Sequence, residues 1–468
     1  MTQSWTMEPG PPRRRRRMAV GLALVGIFAA SLAVGWSVAG APPGTSARAA
    51  ADGSPGATTA AEATSAPGQP AASTPPSPSP TPTASPTPVP TPVPTPAVPA
   101  AVAARLSKAL ATAKKELGLP GVEATVLFRD GSSWTGVRGM ADAAAGLKVQ
   151  SGTPFAIGSV TKTFTAALIL RDVEAGRIRL DDRLARYLPD VPNAGKVTIR
   201  QLLNHMSGIP DYFKNVKFDA VLNKSKKRVW TAEEVLEGYV RPALVFPPGS
   251  RWAYSNSNYL LLGMVAEKVG GAPWAERVRE ELLDPLGLTS TYIQGAEAPT
   301  VAPALAYRII AGYRGPTPSA RTDGSDIVPF TSVVTAAGAA GAIASTTQDM
   351  ARWAGALYGG DVLDPATRKQ MLTFVKAYGY GWTTAYGLGV SRVVFQGRVS
   401  YGHTGALTGT RASIRYFPKD GVAIAVAFNR EPLVGDDVVR YLARAVFPKP
   451  PASASPSPAT SPRPSSAP

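Results

Sequence analysis

Hydrophobic and polar positions divide the chain into stretches of different character. Residues 18–40 are 23 consecutive uncharged, mostly apolar positions, and a helix of that length rises about 35 Å, enough to span a bilayer. From 41 to 100 the chain consists largely of Pro, Ala, Ser, Thr and Gly, a composition to which 448–468 return. Helix-like and strand-like periodicities fill 101–447. We interpret 101–447 as one folded domain between a disordered Pro-rich linker, 41–100, and a disordered tail, 448–468.

The periodicities inside the domain predict one helix, a strand pair, several helices and then further strands. Helices are predicted at 102–117, 160–175, 199–204, 232–239, 259–269, 274–283, 347–357 and 436–446. Strands are predicted at 122–128, 133–138, 389–395, 398–401, 411–417 and 422–428. Because neighbouring strands have no long crossovers between them, the sheet is expected to be antiparallel. The predicted fold class is α+β, an antiparallel sheet flanked by helices with an inserted, mainly helical lobe, and the cleft between lobes is the expected site.

Charge near the N-terminus predicts the orientation of the apolar segment. Five arginines at 13–17 directly precede it, and such residues stay on the cytoplasmic side. We therefore interpret 1–17 as a basic cytoplasmic segment and 18–40 as a transmembrane signal-anchor, with the domain outside the cell. Cleavage of a signal peptide at the small residues around 47–49 is the alternative, and the protein would then be secreted.

The composition excludes several classes of function. The chain has no cysteine, which excludes a disulfide scaffold, a thiol nucleophile and cysteine zinc sites. Its two histidines, His205 and His403, are too few for a polyhistidine metal centre, and we interpret His205 as structural. The net charge of +17 comes without a nucleic-acid motif, so no nucleic-acid partner is predicted. A basic surface also suits an anionic cell envelope.

Ser159-Val160-Thr161-Lys162 is the first candidate for chemistry. Ser159 directly precedes a predicted helix, where backbone N–H groups stabilise developing negative charge. Lys162 lies three residues on, so the two side chains share a helix face. A lysine in a cleft loses its charge readily and can then act as base for a serine nucleophile. Alone, the pair also fits an N-cap serine and a solvated lysine.

Two further motifs carry polar groups suited to a substrate. Tyr254 and Asn256 follow a turn; a phenol whose pKa is lowered by cations can relay protons, and an amide can hold a substrate carbonyl. His403-Thr404-Gly405 lies between two predicted strands. The imidazole of His403, when charged, would attract a carboxylate, and Gly405 would let an extended ligand approach the backbone. A core tyrosine and a loop histidine are the alternative interpretations.

In this order the three motifs resemble those of the serine β-lactamase and penicillin-binding protein superfamily. The second and third motifs are similar to the class C-like branch, which includes D-alanyl-D-alanine carboxypeptidases of the Streptomyces type. The resemblance covers about 102–430 and implies a β-lactamase/transpeptidase-like fold. Further matching segments are Ala156-Ile157-Gly158, Leu180-Asp181-Asp182, Tyr187-Leu188-Pro189, Leu202-Leu203-Asn204-His205-Met206-Ser207-Gly208-Ile209-Pro210, Pro248-Gly249, Pro285-Leu286-Gly287-Leu288, Ser345-Thr346-Thr347-Gln348-Asp349 and Tyr386-Gly387-Leu388-Gly389.

The resemblance implies acyl transfer through a covalent acyl-enzyme, followed by attack of water. Ser159 would be the nucleophile, and Lys162 and Tyr254 would share proton transfer, with the base left open between them. The backbone N–H groups of Ser159 and Ala406 would form the oxyanion hole. No metal or organic cofactor is implied.

The resemblance also implies how substrate is held. Asn256 would bind the substrate amide, while His403, Thr404 and Gly405 would face its carboxylate. Histidine stands where class C β-lactamases usually carry lysine, so the charge at this position is expected to be partial at neutral pH. Arg411 is a further candidate for a fixed positive charge.

The predicted activity is D-alanyl-D-alanine carboxypeptidase-like, on cell-wall peptide stems, with β-lactams as possible ligands. An esterase or D-amino-acid amidase is the first alternative, and a β-lactamase the second. A non-catalytic penicillin-binding or sensor protein is a third alternative. The pattern predicts no oligomeric state.

Overall fold

A computed structural model describes residues 96–448, except 144, 300, 306, 309–316, 319–330, 361 and 432. The helices are α1 (Ala100–Leu117), α2 (Thr161–Glu174), α3 (Ile199–Leu203), α4 (Val216–Lys224), α5 (Ala232–Tyr239), α6 (Ser257–Gly270), α7 (Trp274–Val278), α8 (Thr331–Ala337), α9 (Thr347–Gly359), α10 (Pro365–Met371) and α11 (Asp436–Val446). The strands are β1 (Gly121–Leu127), β2 (Ser133–Asp142), β3 (Leu147–Lys148), β4 (Phe155–Ala156), β5 (Tyr292–Ile293), β6 (Tyr307–Arg308), β7 (Thr317–Pro318), β8 (Ile343–Ser345), β9 (Val375–Lys376), β10 (Ala385–Tyr386), β11 (Ser391–Phe395), β12 (Arg398–Leu407), β13 (Thr410–Phe417) and β14 (Val422–Phe428).

Within the described residues, nine strands form one antiparallel sheet in the order β3-β2-β1-β14-β13-β12-β11-β10-β9. The first long strand and the last are neighbours in its centre. β1 pairs with β14 from Val122 opposite Phe428 to Leu127 opposite Ala423. The two ends of the domain therefore close the same sheet, which joins the N-terminal hairpin to the C-terminal strands.

Helices cover both faces of this sheet. On one face α1 and α11 pack together, and Leu110 and Leu442 are fully buried between them and the strands. A buried ion pair joins α11 to the sheet, with Arg415 Nη2 of β13 at 2.7 Å from Asp436 Oδ2. On the other face α9 packs on β1, β13 and β14. This second face also holds the larger core, to which α2 and α6 contribute.

The helical lobe lies between β4 and β5 along the chain, where α2 to α7 follow one another. Phe164 of α2 stacks on Trp353 of α9, with ring centroids 4.0 Å apart, and this contact ties the lobe to the helix beneath the sheet. Because α2 is buried along almost its whole length, its first turn is held firmly. That turn carries the serine and lysine of the first motif.

The predicted α+β class with a large antiparallel sheet flanked by helices is confirmed. One strand boundary was wrong. The strand predicted at 398–401 continues to Leu407 as β12, so the His403-Thr404-Gly405 motif lies inside a strand and not between two strands. The helix predicted at 274–283 is α-helical only to Val278 and continues as a π-helical turn.

The predicted N-terminal elements are not part of this description. The basic segment 1–17, the anchor 18–40, most of the linker and nearly all of the tail lie outside the described residues. Among the helices that the structure does describe, none combines the length and apolar character needed to cross a bilayer.

Candidate active site

The turn that carries Ser159 packs directly against strand β12. Ser159 lies in a single 3₁₀ turn, Gly158–Val160, just before α2. Gly158 has a φ of +49°, and a Cβ on it would lie 2.6 Å from the carbonyl oxygen of Ala406. A Cβ on Gly405 would lie 1.7 Å from the carbonyl oxygen of Ile157. Glycine at both positions therefore permits the contact, which brings the serine turn and Ala406 together as an oxyanion hole would require.

Lys162 is fully buried one helical turn after the serine. Its Nζ donates hydrogen bonds to Ser159 Oγ at 3.1 Å, Asn256 Oδ1 at 2.8 Å and the Ala340 carbonyl oxygen at 2.6 Å. Burial lowers the pKa of this amine to about 7, because a charged group is costly away from water. The neutral amine keeps two of these hydrogen bonds and presents a lone pair to the serine hydroxyl. The geometry suits a general base.

Asn256 is held by a carboxylate that sequence reasoning missed, Asp211. Asn256 Nδ2 donates to both Asp211 carboxylate oxygens, at 3.1 and 3.2 Å, and its backbone N donates to Asp211 Oδ1 at 3.3 Å. These bonds set the orientation of the amide, so its oxygen faces Lys162. The Asn256 amide, predicted to bind substrate, thus contacts the base and an acid in this structure. Asp211 directly follows the matching segment that ends at Pro210, but no motif spacing in the sequence points to it.

The Tyr254 hydroxyl lies in the same cluster, but its pKa shifts in the opposite direction from the one considered from the sequence. Burial raises the pKa of this phenol well above its usual range, so the hypothesis that nearby cations lower it is wrong. Lys162 Nζ lies 5.0 Å from the Tyr254 ring centroid. The buried Tyr254 hydroxyl lies near the side chains of Ser159 and Tyr380. A protonated phenol can donate a proton or a hydrogen bond but is a poor base at neutral pH.

His403 is buried and neutral. Its Nε2 lies 2.8 Å from the Tyr386 hydroxyl, and its Nδ1 contacts the Thr404 carbonyl oxygen. Because a carbonyl can only accept, the ring hydrogen is assigned to Nδ1, and Nε2 accepts from Tyr386. Burial, with the nearby charge of Lys162, lowers the pKa of His403 to about 3. The expectation that His403 carries a partial positive charge at neutral pH is therefore wrong.

The second half of β12 borders the serine turn. Strand β11 pairs with β12 only as far as Gly402, so from His403 to Leu407 one edge has no strand partner among the described residues. Thr404 is partly exposed and Ala406 exposed. An extended substrate can add to such an edge through main-chain hydrogen bonds. Gly405 has no side chain because the Ile157 carbonyl oxygen occupies the space that a Cβ would fill. This contact explains the glycine without the expected role of admitting a ligand to the backbone.

A family model described as Beta-lactamase matches residues 106–447. The chain belongs to this family. The resemblance to serine β-lactamases and penicillin-binding proteins that the three motifs indicated is confirmed.

Relatives of this beta-lactamase family member carry hydrolase and penicillin-binding names. Penicillin-binding protein 4 of Amycolatopsis lactamdurans is 29% identical over 335 residues, 68% of this chain and 82% of that protein. D-aminopeptidase of Cereibacter sphaeroides is 26% identical over 63% of this chain and 53% of the relative, so the match spans about half of it. The solved D-stereospecific amidohydrolase from Streptomyces sp. is 30% identical with a TM-score of 0.62, covering 74% of this chain and 98% of that one.

Two matching segments outside the motifs have clear physical roles in this family member. His205, interpreted as structural, is fully buried and its ring centroid lies 4.3 Å from that of Tyr254. Its Nδ1 accepts from the Ser255 backbone N at 3.3 Å, and its carbonyl oxygen accepts from the Ala253 backbone N at 3.0 Å. His205 therefore holds the segment that carries Tyr254. In the other segment, Tyr386 binds His403.

Arg411 does not supply the free charge considered from the sequence. Its Nε donates to the Leu433 carbonyl oxygen at 2.7 Å, and its Nη1 lies 3.6 Å from Glu431 Oε1. The guanidinium is nearly buried, and the acid Glu431 balances its charge.

Proposed function

We propose that this chain is a serine hydrolase that cleaves peptide or amide bonds through an acyl-enzyme on Ser159. The observation that carries the proposal is the contact between the buried Lys162 Nζ and Ser159 Oγ, at 3.1 Å. The lowered pKa of that amine, about 7, makes the neutral base available near neutral pH. General bases work best when their pKa lies near the working pH.

The proposed reaction has two stages. Ser159 Oγ attacks the substrate carbonyl carbon while its proton passes to Lys162, and the backbone N–H groups of Ser159 and Ala406 bind the oxyanion. The C–N bond then breaks, and the leaving nitrogen takes a proton through the protonated Tyr254 phenol. In the second stage water attacks the ester on Ser159, releasing the acid product and restoring the serine hydroxyl.

For the substrate, the first candidate is a peptide that ends in D-alanyl-D-alanine, such as a cell-wall stem. The similarity to penicillin-binding proteins supports it. A D-amino-acid amide is the second candidate. It is favoured by the neutral state of His403 and the pairing of Arg411 with Glu431, because neither residue offers a free cation to a terminal carboxylate. The amidohydrolase and aminopeptidase relatives agree with this second candidate.

A matched pair of substrates tests the proposal. An acylated D-alanyl-D-alanine and the corresponding acylated D-alanyl amide share their acyl part. Hydrolysis of the first releases D-alanine, and hydrolysis of the second releases ammonia. We expect release from at least one by the wild type and none by Ser159→Ala. Faster release of D-alanine favours the carboxypeptidase, and faster release of ammonia the amidase. Equal turnover by Ser159→Ala would refute the proposal.

Other substrates distinguish the remaining activities. Hydrolysis of benzylpenicillin without release from either peptide substrate would indicate a β-lactamase, and hydrolysis of simple esters alone an esterase. Binding without any covalent product would indicate a sensor or binding protein.

We also propose that the protein acts outside the cell membrane, anchored through 18–40 or secreted after cleavage near 47–49. The arginines at 13–17 and the apolar stretch after them support this location. Protease treatment of intact cells should digest the domain if it is exposed, and full protection would refute the proposal.

A further inference from the structure

The loop at 377–384 places an aromatic side chain over the catalytic groups. It joins β9 to β10 at the edge of the sheet. The Tyr380 ring stacks on the Tyr254 ring, with centroids 4.5 Å apart and 14° between planes. Its centroid also lies 6.1 Å from that of His403 and 6.2 Å from that of Trp252. Tyr380 therefore covers one face of the Tyr254 phenol.

The Tyr380 hydroxyl lies among the catalytic groups. The hydroxyl groups of Ser159, Tyr254 and Thr404 lie close enough to lower its pKa, against the larger effect of burial, which raises it. The phenol thus occupies space beside the nucleophile and the free edge of β12. In the proposed mechanism an acyl group on Ser159 lies between Ala406 and Tyr254, so a ring stacked on Tyr254 narrows the room left for its chain.

Glycines flank Tyr380 on both sides, in open surroundings. Gly379 and Gly381 have φ values of +75° and +53°, a region that only glycine adopts readily. A Cβ at either position would meet no atom within 4 Å, so this part of the loop is loosely packed. The neighbouring Tyr378 is 75% exposed. Gly158, whose Cβ would strike Ala406, has no such freedom.

We propose that Tyr380 is a specificity-determining residue, whose ring limits the size of the acyl group that can reach Ser159. Small acyl groups bind with the ring stacked on Tyr254. Larger ones require the ring to swing away about Gly379 and Gly381, and the contacts with Tyr254 and His403 oppose that movement. This inference rests on the proposed function, since it assumes acylation of Ser159.

Two esters with one leaving group test it: p-nitrophenyl acetate and p-nitrophenyl phenylacetate. The quantity measured is the ratio of kcat/KM for the larger acyl group to that for the smaller. Tyr380→Ala should raise this ratio about tenfold or more, the range over which hydrophobic sites discriminate by size. Tyr380→Phe keeps the ring and should leave the ratio within about twofold of the wild type. Tyr378→Ala, on the same loop but exposed, is the matched control.

Three outcomes would overturn the inference while leaving Ser159-dependent turnover intact. An unchanged ratio in Tyr380→Ala would show that the ring does not limit access. A lower ratio would show that the ring binds the larger acyl group instead of excluding it. A ratio that rises in Tyr380→Phe as far as in Tyr380→Ala would show that the hydroxyl, and not the ring, sets the limit. Turnover of both esters that survives Ser159→Ala would instead refute the proposed function and this inference with it. A wild type that releases product from the D-alanyl substrates but turns over neither ester would refute this inference alone.

Discussion

Replacing Lys162 by methionine removes the proposed base and leaves a side chain of similar length in the buried site. The wild-type amine donates to Ser159 Oγ, Asn256 Oδ1 and the Ala340 carbonyl oxygen, and a thioether can replace none of these bonds. A positioned general base contributes about 10²–10⁴-fold to rate. We therefore expect Lys162→Met to slow acylation by this factor, or roughly 3–5 kcal/mol of activation free energy.

The pH dependence of the acylation rate is a second test of Lys162 as the base. With a pKa of about 7, the amine is protonated in acid and cannot accept the serine proton. The acylation rate should therefore rise about tenfold per pH unit below pH 7 and level off above it. The assay is the rate of adduct formation with benzylpenicillin, followed by intact mass spectrometry across this range. Lys162→Arg should show no such rise, because a guanidinium stays charged.

Lys268→Met is the matched control, since Lys268 is exposed on α6, and it should acylate as the wild type does. Unfolding midpoints of all variants show whether a slow variant is folded. If folded Lys162→Met acylates at the wild-type rate, or if the wild-type profile is flat through pH 7, Lys162 is not the base and the reasoning from its burial is refuted.

Three further changes test the surroundings of the site and the fold. Asp211→Asn removes the charge that raises the pKa of Lys162, so the acid limb of the acylation profile should move to lower pH. Burial raises the pKa of Glu123 from its unfolded value of 4.5 to about 7. Between these pH values the folded protein therefore binds more protons than the unfolded chain does. The free energy of unfolding should fall by about 3 kcal/mol as pH rises through this window. Glu123→Gln should abolish that fall in urea unfolding. Arg415→Ala leaves Asp436 buried without its partner, which should lower the free energy of unfolding by about 3–5 kcal/mol.

Each of these has a clear contrary result. An acid limb that stays in place in Asp211→Asn would mean that this carboxylate does not influence the base. A wild-type stability that is constant between pH 5 and pH 7 would contradict the shifted titration of Glu123. A loss below about 1 kcal/mol in Arg415→Ala would mean that the ion pair contributes no more than a surface pair does.

Periodicity predicted the long amphipathic and fully apolar elements best. The bounds of α5 and β14 agree with those predicted, 232–239 and 422–428, to the residue. The second half of β12 was missed because its His-Thr-Gly sequence has no strand pattern; it is extended because it pairs with β13 and packs on the serine turn. The two-residue strands β9 and β10 are too short to show a period.

In the site, too, sequence spacing predicted the contact between neighbours in the chain but not the contacts between distant residues. The approach of Lys162 to Ser159 follows from a separation of three residues across the turn that leads into α2, and spacing predicted it. The contacts of Lys162 with Asn256 and of Asn256 with Asp211 join residues 94 and 45 positions apart, and no spacing rule covers them. The neutral state of His403 depends on its burial inside the sheet, which the predicted loop position could not indicate.

The most direct measurement is the intact mass of the protein after incubation with benzylpenicillin, alongside Ser159→Ala. The proposed mechanism predicts a wild-type mass increased by one penicilloyl group, with the modified peptide containing Ser159, and no increase in the variant. An equal adduct on Ser159→Ala would contradict the assignment of the nucleophile. If the wild type carries no adduct and also turns over neither penicillin nor the two D-alanyl substrates, the acyl-enzyme mechanism is refuted.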